Sequence, residues 1–300
     1  MASRPTVPEI AARCGVAVET GRTLAELTSI GVGGPVEHLL RPDAIDPLAR
    51  LLADLRAAGY RPRILGGGAN LIGGPGPIAD PVILTRGIKH GPIFDGDRAR
   101  AGCGMAVKLL VLRCAERGLA GLEFAEGIPG TVGGTIFMNA GSYGGQMSDV
   151  VREVTLLDTG GSLARRELAP SDFGYRRSPF SAQEVIVEAV FQLSPSDPRE
   201  LESRMREISS RRLKSQPPGE RSAGCIFKNP AGDSAGRLID SLGLRGLSVG
   251  GASISMVHGN FIVNRGDATP ADVMELIGQV KAKVKEISGV TLEEEVIVWS

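Results

Sequence analysis

Residues 118–151 read GLAGLEFAEGIPGTVGGTIFMNAGSYGGQMSDVV, and glycine crowds into GIPGTVGGT (127–135) and AGSYGG (140–145). The first cluster along the chain, GGGANLIGGPG, occupies 66–76. Of 300 residues, 41 are glycine, and they follow neither a repeat nor a linker pattern. Glycine lets backbone approach a ligand closely and adopt positive φ. One isolated cluster is most simply a turn. Two long clusters mixing glycine with small polar residues point to a pyrophosphate held by backbone N–H groups.

Working outward, Asp46 reads as an N-cap with Pro47 at N1, a stripe of Leu48, Leu51, Leu52 and Leu55, and a stop at Gly59. Arg63–Leu65 reads as a strand running into the first cluster, and Val82–Leu84 as another. A second helix carries Val107, Leu110, Val111 and Cys114 and stops at Gly118. Val151–Leu157 and Val185–Phe191 read as strands joined by a polar excursion. Residues 194–222 are charged, with a Leu201/Met205/Ile208 stripe and a Pro217-Pro218 turn. This predicts a helix leading out of one domain and a boundary near 197–215. Further on, Thr269 caps a helix with Pro270 at N1 and Asp272 at N3. Val273, Leu276, Ile277, Val280, Val284 and Ile287 form its buried face, and Gly289 ends it. Asn260–Asn264 and Glu295–Trp299 read as flanking strands. Without strict βαβ alternation the class is α+β.

Composition narrows the function. Lys+Arg and Asp+Glu both number 34. No basic surplus points to nucleic acid or membrane, and 4% aromatics is poor material for stacking bases. Cys14, Cys103, Cys114 and Cys225 form no CxxC pair, so neither a zinc site nor a disulfide scaffold is expected. With no signal peptide and no run of eighteen apolar residues, a cytoplasmic location with reduced thiols is expected.

Walker A, HExxH and GxSxG are all absent. The first cluster fails GxGxxG at Leu71, and no amphipathic helix follows it. His38, His90 and His258 are scattered. Cys225, in RSAGCIFKNP, reads as a small buried hydrophobe, and its polar surroundings make it a candidate site residue. Arg176-Arg177 in FGYRRSPF and Glu293–Glu295 read by composition as solvated charge. Strand alternation nevertheless sends Glu295 to the opposite side from Glu294.

GGGANLI, the 118–151 stretch, FGYRRSPF, RSAGCIFKNP, AGRLIDSLGLRG, HGNFIVNRGDATPADV and LEEEVIVW occur in that order. Together they resemble the UDP-N-acetylenolpyruvoylglucosamine reductase (UDP-N-acetylmuramate dehydrogenase) family over nearly the whole chain from about residue 23. The short stretch between FGYRRSPF and the Pro-Pro turn fits the shorter form, which lacks an inserted tyrosine-bearing loop. The resemblance implies an FAD-binding fold of the vanillyl-alcohol-oxidase (PCMH) type in two subdomains, 1–90 and 91–205. A substrate domain at 206–300 follows, its terminal strand returning to the active site. The implied reaction uses NADPH to reduce FAD. Hydride then passes through N5 to UDP-N-acetylglucosamine enolpyruvate, giving UDP-N-acetylmuramate for peptidoglycan. A monomer with no nucleic-acid, membrane or metal partner is implied.

By the same likeness Gly66, Gly67, Gly68, Ala69 and Asn70 lie against the FAD pyrophosphate. Gly130, Thr131, Val132, Gly133, Gly134, Asn139, Ala140 and Gly141 complete the cradle. Arg176 and Glu295 match the pair beside the substrate carboxylate, with Glu295 acting protonated or through a shared proton, which calls for a pKa raised by burial. Cys225 inherits proton donation, where serine is commoner; a thiol, with a pKa of about 8.5, gives up its proton more readily than an alcohol. Tyr175, Lys214 and Asn229 fall to substrate binding. Gly31, where arginine is common, and Ala69, where serine is common, depart from the pattern and point to weaker flavin retention. A related FAD oxidoreductase with another substrate, or a flavin-free nucleotide-sugar binder, is the alternative.

Overall fold

Leu48, Leu51, Leu52 and Leu55 are each fully buried along one face of the helix Ile45–Ala57. The leucine stripe therefore does what its 3.6-residue spacing predicts. The cap differs: the helix begins two residues earlier, Ala44 is the N-cap without a side-chain bond, and Asp46 sits inside the first turn. There its charge favours the helix dipole instead of closing an N–H. A helix at Val7–Cys14 was not anticipated, although Thr6 and Glu9 form a full capping box. At eight residues its apolar period is too short to stand out.

The computed structural model describes residues 4–300. The chain divides into two compact units. The first takes in the chain up to Thr20, Glu37–Gly67 and Ala79–Ser209. It carries two sheets over one apolar core. The smaller sheet has the order Ala17–Glu19, Leu39–Arg41, Val82–Leu84, Arg63–Leu65. Its last three strands run parallel, so Leu65 and Leu84 end side by side. The larger sheet is antiparallel, in the order Leu163–Glu167, Val151–Leu157, Val185–Gln192, Arg98–Gly102, Ile93–Asp95. The helix Val107–Glu116 buries Val107, Leu110, Val111 and Cys114 in the same core.

The second unit gathers Gly21–Val36, Gly68–Ile78 and Ser210–Ser300. Its antiparallel sheet runs Arg221–Cys225, Phe261–Asn264, Ala252–Ile254, Ser248–Val249. The helix Pro270–Ser288 has the anticipated Thr269 capping box, first-turn proline and left-handed Gly289. It buries Val273, Leu276, Ile277, Val280 and Val284. Ile287 keeps the same helical angle but lies in the last turn, outside the apolar cluster, and is 63% exposed. The final strand, Ile297–Trp299, pairs in parallel with Leu71–Gly73, directly after the first glycine loop. The division between the units falls within the long charged helix Pro198–Ser215.

Candidate active site

The first glycine loop leaves the C-terminal end of the strand Arg63–Leu65. It runs tight against the second cluster. A Cβ on Gly66 would lie 2.7 Å from Thr131 Oγ1, and one on Gly67 would lie 2.6 Å from Gly130 Cα. Gly68 has φ +66° and would drive a Cβ into the Leu27 carbonyl. Side chains are thus excluded at Gly66–Gly68, which leaves backbone as the exposed chemistry there. Among the described residues, none of the N–H groups of 66–70 donates to a main-chain carbonyl in loops or turns. Successive open N–H groups on a glycine turn make an anion concavity, which fits a pyrophosphate.

The second cluster is built differently. Thr131 caps the helix Val132–Phe137. Val132 N–H donates to Met105, Gly133 N–H to Cys103, both at 2.9 Å, and Gly134 N–H to Thr131 Oγ1. These three donors are already engaged, so this cluster shapes the loop more than it donates. Asn139, buried with φ +42°, spends its side chain inside the protein. Its Nδ2 donates to Gly174 O at 3.0 Å and Gln146 Oε1 at 3.2 Å, and its Oδ1 accepts from Ser148 N–H at 3.0 Å. Ala140 N–H closes onto Thr135 O, and Gly141 lies at the start of a small hairpin with Gly145-Gln146.

Asn139 thereby fixes the turn that carries Arg176. Gly174 and Arg177 exchange both main-chain hydrogen bonds around Tyr175-Arg176. Arg176 sits there in the left-handed region at φ +54°. A non-glycine residue in that region stores of order 1 kcal/mol of strain, of a kind that clusters at functional sites. Its Nη2 donates to Gly141 O at 3.0 Å, and its guanidinium lies 5.1 Å from the centre of the half-exposed Tyr175 ring. The first unit therefore brings Arg176, Tyr175, Asn139 and Gly141 together, and joins Gly66 and Gly67 to Gly130 and Thr131.

The second unit assembles the rest. Gly224, at φ +79°, lies in a ladder irregularity just before Cys225, which pairs with Phe261. Glu295 precedes the terminal strand and is not part of it, so strand alternation is not what orients it. Hydrogen bonds do: its N–H donates to Ile226 O at 2.8 Å, and its carbonyl accepts Asn70 Nδ2 at 3.1 Å. Asn70 O also accepts the Ile297 N–H at 3.0 Å. The end of the glycine loop, the thiol-bearing segment and Glu295 are locked to one another through main chain and the Asn70 amide.

The neighbouring glutamates are separately engaged. Glu293 pairs with Lys228, and Glu294 with Lys281 at 2.7 Å. Partial burial pushes the Glu294 carboxyl up, but the Lys281 hydrogen bond, a main-chain hydrogen bond and the Lys281 charge together hold it below its usual range.

Asn260 was not singled out from the sequence. It is 3% exposed. Its Oδ1 accepts Phe227 N–H at 2.9 Å, its Nδ2 donates to Phe227 O at 2.8 Å, and its own carbonyl takes Ile226 N–H. A polar residue directly before the apolar strand Phe261–Asn264 was the available signal. Asn229 Oδ1 accepts the first N–H of the helix Ala235–Ser241, while Lys214 is exposed in the last turn of Pro198–Ser215. Of the four cysteines, Cys14, Cys103 and Cys114 are buried and Cys225 is not. No group of His, Cys, Asp and Glu among the described residues could hold a metal ion, and no helix there is long and apolar enough to cross a membrane.

Comparison with known proteins agrees with this arrangement. Residues 36–166 match the FAD binding domain family, and residues 216–299 match the UDP-N-acetylenolpyruvoylglucosamine reductase, C-terminal domain. The UDP-N-acetylenolpyruvoylglucosamine reductases of Geobacter sulfurreducens and Geobacter metallireducens are 43% and 42% identical to the chain. The alignments cover 92% of both chains in the first case and 91% of both in the second. The crystal structure of UDP-N-acetylenolpyruvylglucosamine reductase from Thermus caldophilus is 38% identical and superposes with a TM-score of 0.82, over 95% of this chain and 100% of that one. A Phl p 4 variant, a glucose oxidase, shares only the fold, with 15% identity and a TM-score of 0.51 over 65% of this chain and 45% of its own. The glycine loops that exclude side chains are accordingly those of an FAD-binding domain, and the chain belongs to the UDP-N-acetylenolpyruvoylglucosamine reductase family.

Proposed function

We propose that the chain reduces UDP-N-acetylglucosamine enolpyruvate to UDP-N-acetylmuramate at the expense of NADPH, as a step in peptidoglycan precursor synthesis in the cytoplasm. The observation that carries this reading is the hydrogen-bonded lock joining Asn70, Ile226 and Glu295. It ties the end of the cofactor loop to the segments bearing the acid and the thiol. Bound FAD supplies hydride storage between the nicotinamide and the enolpyruvyl double bond.

The protein's own part is charge and proton. Hydride addition at one carbon leaves an electron pair on the other, shared with the substrate carboxylate. Arg176, held by Gly141 and by its strained turn, presents a fixed cation to that developing charge. The Cys225 thiol gives its proton to the carbon and recovers one from solvent, so each turnover consumes one NADPH and one proton. Glu295, as a neutral carboxyl, donates a hydrogen bond to the substrate carboxylate. Lys214 and Asn229 hold the UDP diphosphate, with Tyr175 against the substrate beside Arg176. Residues up to 90 and 91–205 form the two FAD-binding subdomains, 206–300 is the substrate domain, and the enzyme works as a monomer.

An anaerobic visible spectrum tests this in one cuvette. NADPH bleaches the flavin band, and the enolpyruvyl sugar then restores it. Bleaching without recovery would transfer the chain to an FAD oxidoreductase with another acceptor. Sedimentation of the holoenzyme at working concentration tests the monomer.

A further inference from the structure

The dipeptide Thr85-Arg86 follows the strand Val82–Leu84, whose parallel neighbour Arg63–Leu65 leads into the first glycine loop. Both residues reach across to the main chain of that neighbour. Thr85 Oγ1, almost fully buried, donates to Leu65 O at 3.2 Å. Arg86 Nε donates to Gly66 O at 3.2 Å, and its Nη2 to Gly67 O at 2.6 Å. Three consecutive carbonyls are thus taken by two consecutive residues. The two Arg86 bonds come from one edge of the guanidinium, where the N–H groups are parallel. Gly66 O and Gly67 O must therefore point the same way.

That constraint fixes the opposite side of the loop. In a trans peptide the N–H points away from its own C=O. With Gly66 O and Gly67 O drawn toward Arg86, the N–H groups of Gly67 and Gly68 face the other way together. Extended backbone would alternate them. Two parallel N–H groups beside a left-handed glycine are the geometry of an anion nest, and Gly68 has the required φ of +66°. On the remaining flank Gly130 stands where a Cβ of Gly67 would be, so the loop cannot relax by turning into the second cluster.

We propose that Arg86 is a positioning residue for the cofactor: it holds the two glycine peptides so that their N–H groups are pre-aimed at the FAD diphosphate. This rests on the FAD-binding assignment and not on the roles of Cys225 or Glu295. Arg86 acts through the loop and touches the diphosphate at no step. Lysine cannot replace it, because a single ammonium does not supply two parallel donors in a rigid fork.

The test is equilibrium binding of FAD to apoprotein, read by quenching of flavin fluorescence, with Arg86→Met and Arg86→Lys beside wild type. Both variants should weaken FAD binding by about tenfold or more, as expected when two charge-assisted bonds that pre-organise a site are lost. The deficit should persist at about 1 M salt, where the screening length is about 3 Å. Arg86 is exposed, so far-UV circular dichroism should be unchanged. Methionine binding FAD as tightly as wild type would overturn the proposal. So would full rescue by lysine, or a deficit that vanishes in salt, since both would mean long-range charge and not peptide orientation. Wild-type apoprotein that takes up no FAD would overturn the cofactor assignment itself, and this role with it.

Discussion

Cys225 is distinguished from the other cysteines by environment. Burial pushes the thiols of Cys103 and Cys114 up to about 12, and burial, with Asp54 nearby, raises Cys14. None of these three is suited to exchange protons near neutral pH, whereas Cys225 is partly exposed beside the ladder irregularity at Gly224. Cys225→Ser should keep turnover, because a hydroxyl carries the same proton. Cys225→Ala should lose most turnover while NADPH still bleaches the flavin. Stopped-flow of the two half-reactions separates these, and normal turnover in the alanine variant would end the proton-donor role. His258 gives a second residue-level expectation. Burial lowers its pKa first; Asp240 opposes this and Arg245 reinforces it. The unfolded chain, with a histidine near 6.5, therefore binds the proton more readily. Stability from a neutral His258 is complete above about 6.5 and is lost as pH falls from there through the folded value. Urea melts should show this decline in wild type, and His258→Gln should flatten it. In the sequence, Cys225 stood out only as a candidate, and Glu295 was one of three glutamates. What separates Glu295 from Glu293 and Glu294 is Lys228, Lys281, Asn70 and Ile226, all distant in sequence.

At the scale of elements, local periodicity was legible and long-range pairing was not. The helices Ile45–Ala57 and Pro270–Ser288 announce themselves because an apolar stripe, a proline and a stop glycine agree. Both glycine clusters were readable as backbone surfaces. That Val132 and Gly133 of the second cluster spend their N–H groups inside the protein depends on Met105 and Cys103, which no spacing within the cluster reveals. The segment Ile226-Phe227 shows why such contacts matter. It links Cys225 to Glu295, and Asn260 grips it through both of its amide atoms and its carbonyl. Asn260→Asp keeps the acceptor for Phe227 N–H but sets a carboxylate against Phe227 O. A buried group left opposed in this way costs of order 1–3 kcal/mol. The substrate-dependent reoxidation of the flavin should slow, while its reduction by NADPH stays near wild type. Protonation of the new carboxyl restores a donor toward Phe227 O, so the stability deficit should shrink as pH falls. Equal slowing of both half-reactions, or a deficit independent of pH, would show that Asn260 holds the fold in general and not this segment.

The whole molecule is less modular than its sequence. Read along the chain, 206–300 is continuous, and the matched C-terminal family pattern spans 216–299 without a break. Packing adds Gly21–Val36 and Gly68–Ile78 to the same unit. Ile30, Val32 and Ile72 sit in its apolar cluster at 0–1% exposure, and Leu71–Gly73 is the partner of the final strand. Such additions are invisible to composition, because a buried isoleucine in a glycine-rich loop looks like any other. Their energetic weight is large. Each buried aliphatic side chain contributes about 2 kcal/mol, so three contribute about 6 kcal/mol. That is comparable with the whole stability of an ordinary domain, about 5–15 kcal/mol. A fragment of residues 210–300 loses this and leaves the edge of Ile297–Trp299 unpaired. It should therefore lack cooperative unfolding and disperse poorly in an amide NMR spectrum, despite containing Cys225, Asn229, Asn260 and Glu295. Supplying peptides 21–36 and 68–78 in trans should sharpen the spectrum, since they restore the missing core and the strand partner. A well-folded 210–300 fragment would mean that the three isoleucine and valine side chains fill space that the C-terminal segment can close by itself.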